Sequence, residues 1–281
     1  DEMHRHAGDP HPKKRLREDA LDALAHGLEK NGITIADRVY LRRGLYKAKK
    51  DEIAKPGKFL RAICDLTVKA SLQGFRITLY AKKAWGNGAI PFRDGHIEFC
   101  PSPTAENLQS VFDQLREPNG RFYFVCFSDD AAIALRTRNG EIKRANIDIS
   151  KCDASHGPQM FREFVSLFGE HSGDVQILVD QCTRPLQVNS ITQKYGKSDR
   201  VVMEPGDPRL YSGTTLTTVF NTYASFFYGV ALGELEDLNE ADIHRVAASR
   251  GYLVTVDMCH TFEDCFFLKH YPVKDITGRY R

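Results

Sequence analysis

Between Arg121 and Leu135 the chain reads R-F-Y-F-V-C-F-S-D-D-A-A-I-A-L. Arg121–Phe127 is a strand-forming aromatic and β-branched run, and the apolar pattern resumes at Ala131–Leu135. Two apolar strands joined by Ser128-Asp129-Asp130 read as a hairpin with buried flanks and two adjacent carboxylates at its tip. Asn139-Gly140 then supplies a second tight turn. Lys143–Ile149 alternates as a third strand, and so short a connection makes it a neighbour of the hairpin. Asp148 falls near the end of that strand, and Asp153 follows five residues later.

The remaining pattern mixes helices and strands without βαβ regularity, which points to an α+β fold. Helical spacing runs over Glu18–Lys30 and stops before Asn31-Gly32; Thr104 caps a helix over Ala105–Arg116. Residues 84–103 read as loop with a short strand. Gly157-Pro158 introduces a helix at Gln159–Phe168, followed by a mixed segment at Asp174–Cys182 and an irregular polar stretch at Thr183–Pro208. Ser212-Gly213 leads into a long helix, Thr214–Leu232, and another spans Glu240–Ser249. Strands are expected at Tyr252–Val256 and Cys265–Tyr271.

Composition narrows the class. With 281 residues and 42% hydrophobic content the chain can fill a sizeable core, which excludes a disordered tail, a collagen-like fibre and a coiled coil. The most apolar run, Val219–Leu232, is broken by Asn221, Thr222, Ser225 and Gly229, so no transmembrane segment is expected. The chain opens on Asp1 with no apolar leader, so a fragment or processed product is expected. Seven cysteines without a CxxC pair read as free thiols; Cys259, His260 and Cys265 sketch a partial metal site that lacks a fourth ligand. Net charge is only +2, yet Arg38–Arg61 alone carries +7, interleaved with Tyr40, Tyr46 and Phe59. Such a block suits polyanion binding with base stacking, or a solvated helix face.

Three constellations bear on chemistry. Adjacent carboxylates at a hairpin tip repel unless cations neutralise them, and Mg²⁺ or Mn²⁺ favours such hard oxygens. With the strands side by side, Asp148 and Asp129 would bridge two divalent ions. Thr217 and Asn221 lie four apart, on one helix face, where Asn221 would reach a ribose hydroxyl together with Ser212 or Asp153. Taken singly, each has a plainer alternative: a solvated turn, a strand-end aspartate, a Ser-capped helix.

Taken jointly, they resemble the palm of viral RNA-dependent RNA polymerases. D-I-S-K-C-D followed by A-S (Asp148–Ser155) is similar to motif A of that family. S-G-T-T-L-T-T-V-F-N-T (Ser212–Thr222) matches motif B, SGxxxTxxxNT, at every specified position, and F-S-D-D (Phe127–Asp130) looks like motif C. Lys49–Ile63 resembles the basic motif F, Arg250–Thr255 motif D, and Phe266–Pro272 motif E. The acidic hairpin precedes motif A, an order C–A–B similar to the permuted polymerases of permutotetraviruses and birnaviruses. Permutation is physically cheap, because a metal site depends on where carboxylates meet in space.

The resemblance implies a right-hand polymerase that copies an RNA template from nucleoside triphosphates using two Mg²⁺ or Mn²⁺ ions, within a viral replication complex of the host cytoplasm. Asp129 and Asp148 would bind the metals with Asp130 in support. Asp153, Ser212, Gly213, Thr217 and Asn221 would hold the ribose and nucleotide. Lys50, Lys55, Lys58 and Arg61 would neutralise the triphosphate, and Lys269 would lie near the primer strand. Motif D lacks its usual lysine, leaving His260 as the candidate proton donor. Fingers are expected over 1–104, with the motif F segment at 46–63, and over 171–211. The palm is expected over 105–170, with motif C at 121–135 and motif A at 143–155, and over 212–281. No thumb follows motif E, and without one the isolated fragment is expected to be inactive. A reverse-transcriptase-like enzyme and a non-catalytic RNA-binding module are the alternatives; Asp153 argues against the first and the intact acidic trio against the second.

Overall fold

The computed structural model describes residues 43–47, 61–65, 68–85, 88–100, 104–183, 186–189, 200–203 and 210–278. In chain order its elements are β1 (Arg43–Lys47), β2 (Arg61–Asp65), α1 (Val68–Trp85), β3 (Ile90–Phe92), β4 (Gly95–Phe99), α2 (Ala105–Arg116), β5 (Phe122–Phe127), β6 (Asp130–Arg136), β7 (Ile142–Ile149) and α3 (Cys152–Ser155). They continue with α4 (Pro158–Ser166), α5 (Ser172–Thr183), β8 (Leu186–Asn189), β9 (Arg200–Met203), α6 (Thr217–Leu232), α7 (Glu240–Ser249) and β10 (Val254–Cys259). The fold is mixed α+β, and its described residues fall into two compact units, Asp1–Tyr80 with His156–Thr217 and Ala81–Ser155 with Thr218–Arg281.

In the first unit β2-β1-β8-β9 form a four-stranded sheet, with β1 and β8 parallel and the outer pairs antiparallel. Close approach of α1 to the loop before α6 depends on Gly74, where a Cβ would lie 1.9 Å from Thr215 Oγ1.

The second unit is built on a six-stranded sheet in the order β10-β7-β6-β5-β4-β3, antiparallel except for the β4–β5 pair. Alternation sends Tyr123, Val125, Ala132 and Ala134 to one face, where they bury against Leu108, Val111, Phe112 and Leu115 of α2 and against Cys265 and Phe267. The α2 positions recur at the three- and four-residue spacing that gives a helix a single apolar stripe. Thr104 Oγ1 caps that helix by accepting from Asn107 N at 3.2 Å. Phe122 and Phe124 point to the opposite face and meet α6, with Tyr228 edge-on to Phe124 at 5.7 Å. Gly229 and Gly233 let the helix lie flush, since a Cβ at either would come within 2.5 Å of a phenylalanine ring.

Three expectations need correction. Residues 172–183 form a helix, with Val175, Leu178 and Val179 buried at helical spacing; its β-branched content hid the period. Within 183–208, expected to be irregular, β8 and β9 pair. Residues 265–271 are not a strand: Leu268 and Lys269 adopt left-handed φ of 49° and 65°, turning the chain so that Phe267 bridges His270. The helices expected at 105–116 and 240–249 stand as expected, and the strands at 121–127, 131–135 and 143–149 shift by one residue at most. The expected helix 18–30 lies outside the described residues.

The Gly229 contact gives a stability test. Gly229→Val would drive methyls into the fully buried Phe124 ring, and overpacking of about 1–3 kcal/mol outweighs the sub-kcal/mol helix-propensity gain. Urea unfolding of the variant should therefore show a lower midpoint at unchanged slope.

Candidate active site at the acidic hairpin

Phe127 pairs with Asp130 across the hairpin, so Ser128 and Asp129 form a two-residue turn. Ser128 adopts a left-handed φ of 58° and Asp129 does not, the signature of a type II′ turn, which favours glycine at its first position. Placing Ser128 there costs roughly 1–3 kcal/mol. Three residues of α6 hold it in place. Thr222 Oγ1 accepts from Ser128 N at 2.8 Å, Ser225 Oγ donates to Ser128 O at 2.7 Å, and Asn221 Nδ2 reaches Ser128 Oγ at 3.5 Å. All three α6 side chains are buried, at 2% exposure or less, so these bonds form in a low-dielectric setting where leaving one unmade is costly.

The turn is fixed to β7 as well. Ile149 N donates to Asp129 O at 3.1 Å, and β6–β7 pairing puts Asp130 directly opposite Asp148. Cross-strand partners share a face, so two carboxylates stand side by side with a third on the adjoining turn. Burial pushes the Asp130 carboxyl up to about 7; Leu268 N, which donates to its Oδ2 at 2.9 Å, opposes this, and the charges of Asp148 and Asp129 add to it. Lys269 is exposed and lies close enough to lower it somewhat.

Asp153 lies in the first turn of the short α3, just beyond β7, and its Oδ1 accepts from Asn221 Nδ2 at 2.7 Å. Burial, and after it the charges of Asp129, Asp153 and Asp148, pushes up the thiol of the neighbouring Cys152. One buried group thus feels the acids of the turn, β7 and α3 together. No protein-family model matches the chain, and no curated protein matches it significantly. The site is therefore read from its own chemistry.

The sequence-derived candidates fall into distinct places. Asp129, Asp130, Asp148, Asp153 and Asn221 meet at one end of the six-stranded sheet, with Lys269 near Asp130. His260 does not join them. It follows Cys259, which pairs with Arg144, whereas Asp148 pairs with Thr255; four residues of strand, about 13 Å, separate the two positions. Ser212, Gly213 and Thr217 belong to the other unit, where Gly213 takes a φ of 85° and Thr217 Oγ1 donates to Tyr211 O at 3.2 Å. Arg61 begins β2 in that unit, and Lys50, Lys55 and Lys58 lie outside the described residues. The positioning roles of Ser128, Thr222 and Ser225 were not foreseen. For Thr222 and Ser225 the signal was present, as polar interruptions of an otherwise apolar helix.

Among the described residues no three His, Cys, Asp or Glu side chains form a preformed metal cage. An opposed carboxylate pair with a third acid beside it suits a different mode of binding. Mg²⁺ keeps several waters and is commonly held by one or two carboxylates plus substrate phosphates. The donor set is hard oxygen throughout, and the suppressed ionisation of Asp130 is what a nearby cation would relieve. A cleft of about 520 Å³ also holds Arg121, Arg136 and Arg138, but ion pairs to Asp94, Glu117 and Glu236 already neutralise those guanidiniums.

Two outcomes follow. Thr222→Val leaves Ser128 N without its acceptor in a buried setting and should cost about 1–3 kcal/mol in denaturant unfolding. Because the folded-state value of Asp130 lies above its ordinary 3.8, its contribution to stability is full below that value and lost as pH rises through about 7. Asp130→Asn should therefore melt higher than the parent in metal-free buffer, by an amount that grows between pH 5 and 8 and reaches the order of 2–4 kcal/mol.

Proposed function

We propose that this chain is the catalytic core of a template-directed RNA polymerase, with motif order C–A–B and a right-hand architecture whose palm is the six-stranded unit. The observation that carries the reading is the β6–β7 register, which sets Asp130 against Asp148 while the clamped turn presents Asp129 beside them. The short connection through Gly140 makes this possible in the permuted order, since hairpin and motif A strand become consecutive members of one meander.

Asp129 and Asp148, supported by Asp130, would hold divalent Mg²⁺ or Mn²⁺. When bound, such ions lower the pKa of an attacking hydroxyl and neutralise charge on the leaving pyrophosphate. The chain's own residues do the positioning. Asn221 donates to Asp153 Oδ1 and fixes that carboxylate as an acceptor, suited to a ribose 2′-hydroxyl, the group that distinguishes ribonucleotides from deoxyribonucleotides. Leu268 N holds Asp130 in place from the opposite side. The basic segment 46–63 would neutralise the triphosphate, Ser212, Gly213 and Thr217 would help hold the ribose and nucleotide, and Lys269 would lie near the primer strand. RNA template, nucleoside triphosphates and other replication proteins are the partners this reading requires, and the host cytoplasm is where it places them. No described helix is long and apolar enough to cross a membrane.

Primer extension on an RNA template by the full-length protein tests the proposal. Asp129→Ala and Asp148→Ala should each lower synthesis by more than about 100-fold, the scale of losing one preorganised electrostatic contact, with folding unchanged by circular dichroism. Asp153→Ala should instead reduce the preference for ribonucleotides over deoxyribonucleotides. Undiminished synthesis by either alanine variant at 129 or 148 would refute the assignment.

A further inference from the structure

The motif map leaves Cys259 and Cys265 without a role, yet the structure brings them together. β10 ends at Cys259, and a short 3₁₀ turn at Phe262–Asp264 returns the chain. That turn is held by a reciprocal cap in which Thr261 N donates to Asp264 Oδ2 at 2.8 Å. Cys265 then enters the cluster beneath α2, and Cys259 packs against that same cluster. The two thiols differ in exposure, Cys265 being 1% exposed and Cys259 half-buried.

We propose that Cys259 and Cys265 are a peroxide-responsive dithiol that closes to an intrachain disulfide across the Phe262–Asp264 turn. A hydrogen bond from Cys265 holds the Cys259 thiol below its ordinary value, and Arg144, its register partner on β7, acts in the same direction. The Cys265 thiol is held up, first by its bond to Cys259 and then by burial, so it keeps its proton. This division of labour suits an attacking and a resolving thiol. The Cys259 thiolate attacks hydrogen peroxide; the O–O bond breaks, Cys259 becomes a sulfenic acid, and the departing hydroxide takes up the proton that Cys259 released to solvent and leaves as water. Cys265 sulfur then attacks that sulfur, the S–O bond breaks, and the departing hydroxide takes the Cys265 proton as water. Two thiols lose two electrons, and one peroxide yields two waters.

Among the described residues the other free cysteines, Cys100, Cys126 and Cys152, are buried, and burial pushes the thiols of Cys126 and Cys152 up. The site stands independently of the polymerase reading. Its closure would nonetheless be felt at the acidic tip, because Phe266 N donates to Asn146 Oδ1 at 2.8 Å and Leu268 N to Asp130.

The test is titration of the folded protein with hydrogen peroxide, alkylation of remaining thiols, and non-reducing peptide mapping. A peptide linking Cys259 to Cys265, short by two hydrogens and restored by dithiothreitol, is the expected product. In Cys265→Ser, dimedone should trap a sulfenic acid at Cys259; in Cys259→Ser, Cys265 should stay unoxidised at the same dose. Recovery of Cys259 as sulfinic acid with Cys265 free, pairing of either with another cysteine, or equal peroxide reactivity of Cys265 without Cys259 would each overturn it. Should Cys265→Ser fail to fold, the unsubstituted protein's linkage map decides alone.

Discussion

Two hydroxyls on one helix hold the turn on which everything else in the six-stranded unit depends. Ser128 sits in backbone space that suits glycine, and the cost is met because Thr222 satisfies its N–H while Ser225 satisfies its carbonyl. Both bonds require the helix axis to approach the sheet closely, which the missing side chains at Gly229 and Gly233 permit. Turn geometry, helix docking and aromatic packing at Phe122 and Phe124 are thus one constraint expressed at three scales. The presentation of Asp129 is its outcome.

Against that rigid support stands an electrostatic arrangement that stability alone would not favour. Three aspartates lie near one another, one with its ionisation suppressed by burial and only partly offset by the exposed Lys269. The opposite end of the same sheet shows the contrast, for there Arg121, Arg136, Arg138 and Lys143 are each matched by a carboxylate. One end of the sheet thus carries matched ion pairs, and the other a group of neighbouring carboxylates.

Much of this was legible in the sequence, and for local reasons. The apolar runs around Ser128-Asp129-Asp130, the Asn139-Gly140 turn and the cap at Thr104 are short-range signals, and they gave strands and a helix within a residue of those observed. Helix α5 was missed because Val175, Ile177 and Val179 favour strands locally, and the buried stripe that overrides them becomes visible only after packing. Residues 265–271 misled in the opposite sense: an aromatic-rich run suggested a strand, but two consecutive left-handed residues at Leu268 and Lys269 turn it back on itself. The site was half legible. Asp148, Asp153, Asn221 and Thr222 stand out by spacing, whereas Ser225 was visible only as an interruption arguing against a membrane span. Where His260 stands relative to Asp148 depends on the register of β10 against β7, which spacing along the chain does not reveal.

The order in which the site's parts occur along the chain has a kinetic meaning. Asp129, Asp130 and Asp148 lie on consecutive strands of one meander, so the acidic group needs only short loops to close. The contacts that lock the turn join residues 94 and 97 positions apart. Closing loops of that size adds more entropy cost than the meander does, which places helix docking after strand pairing in the folding sequence. The carboxylates therefore meet while the tip is still loosely held and wet, when high dielectric blunts their repulsion. Burial then arrives with α6, and with it the suppression of Asp130 ionisation.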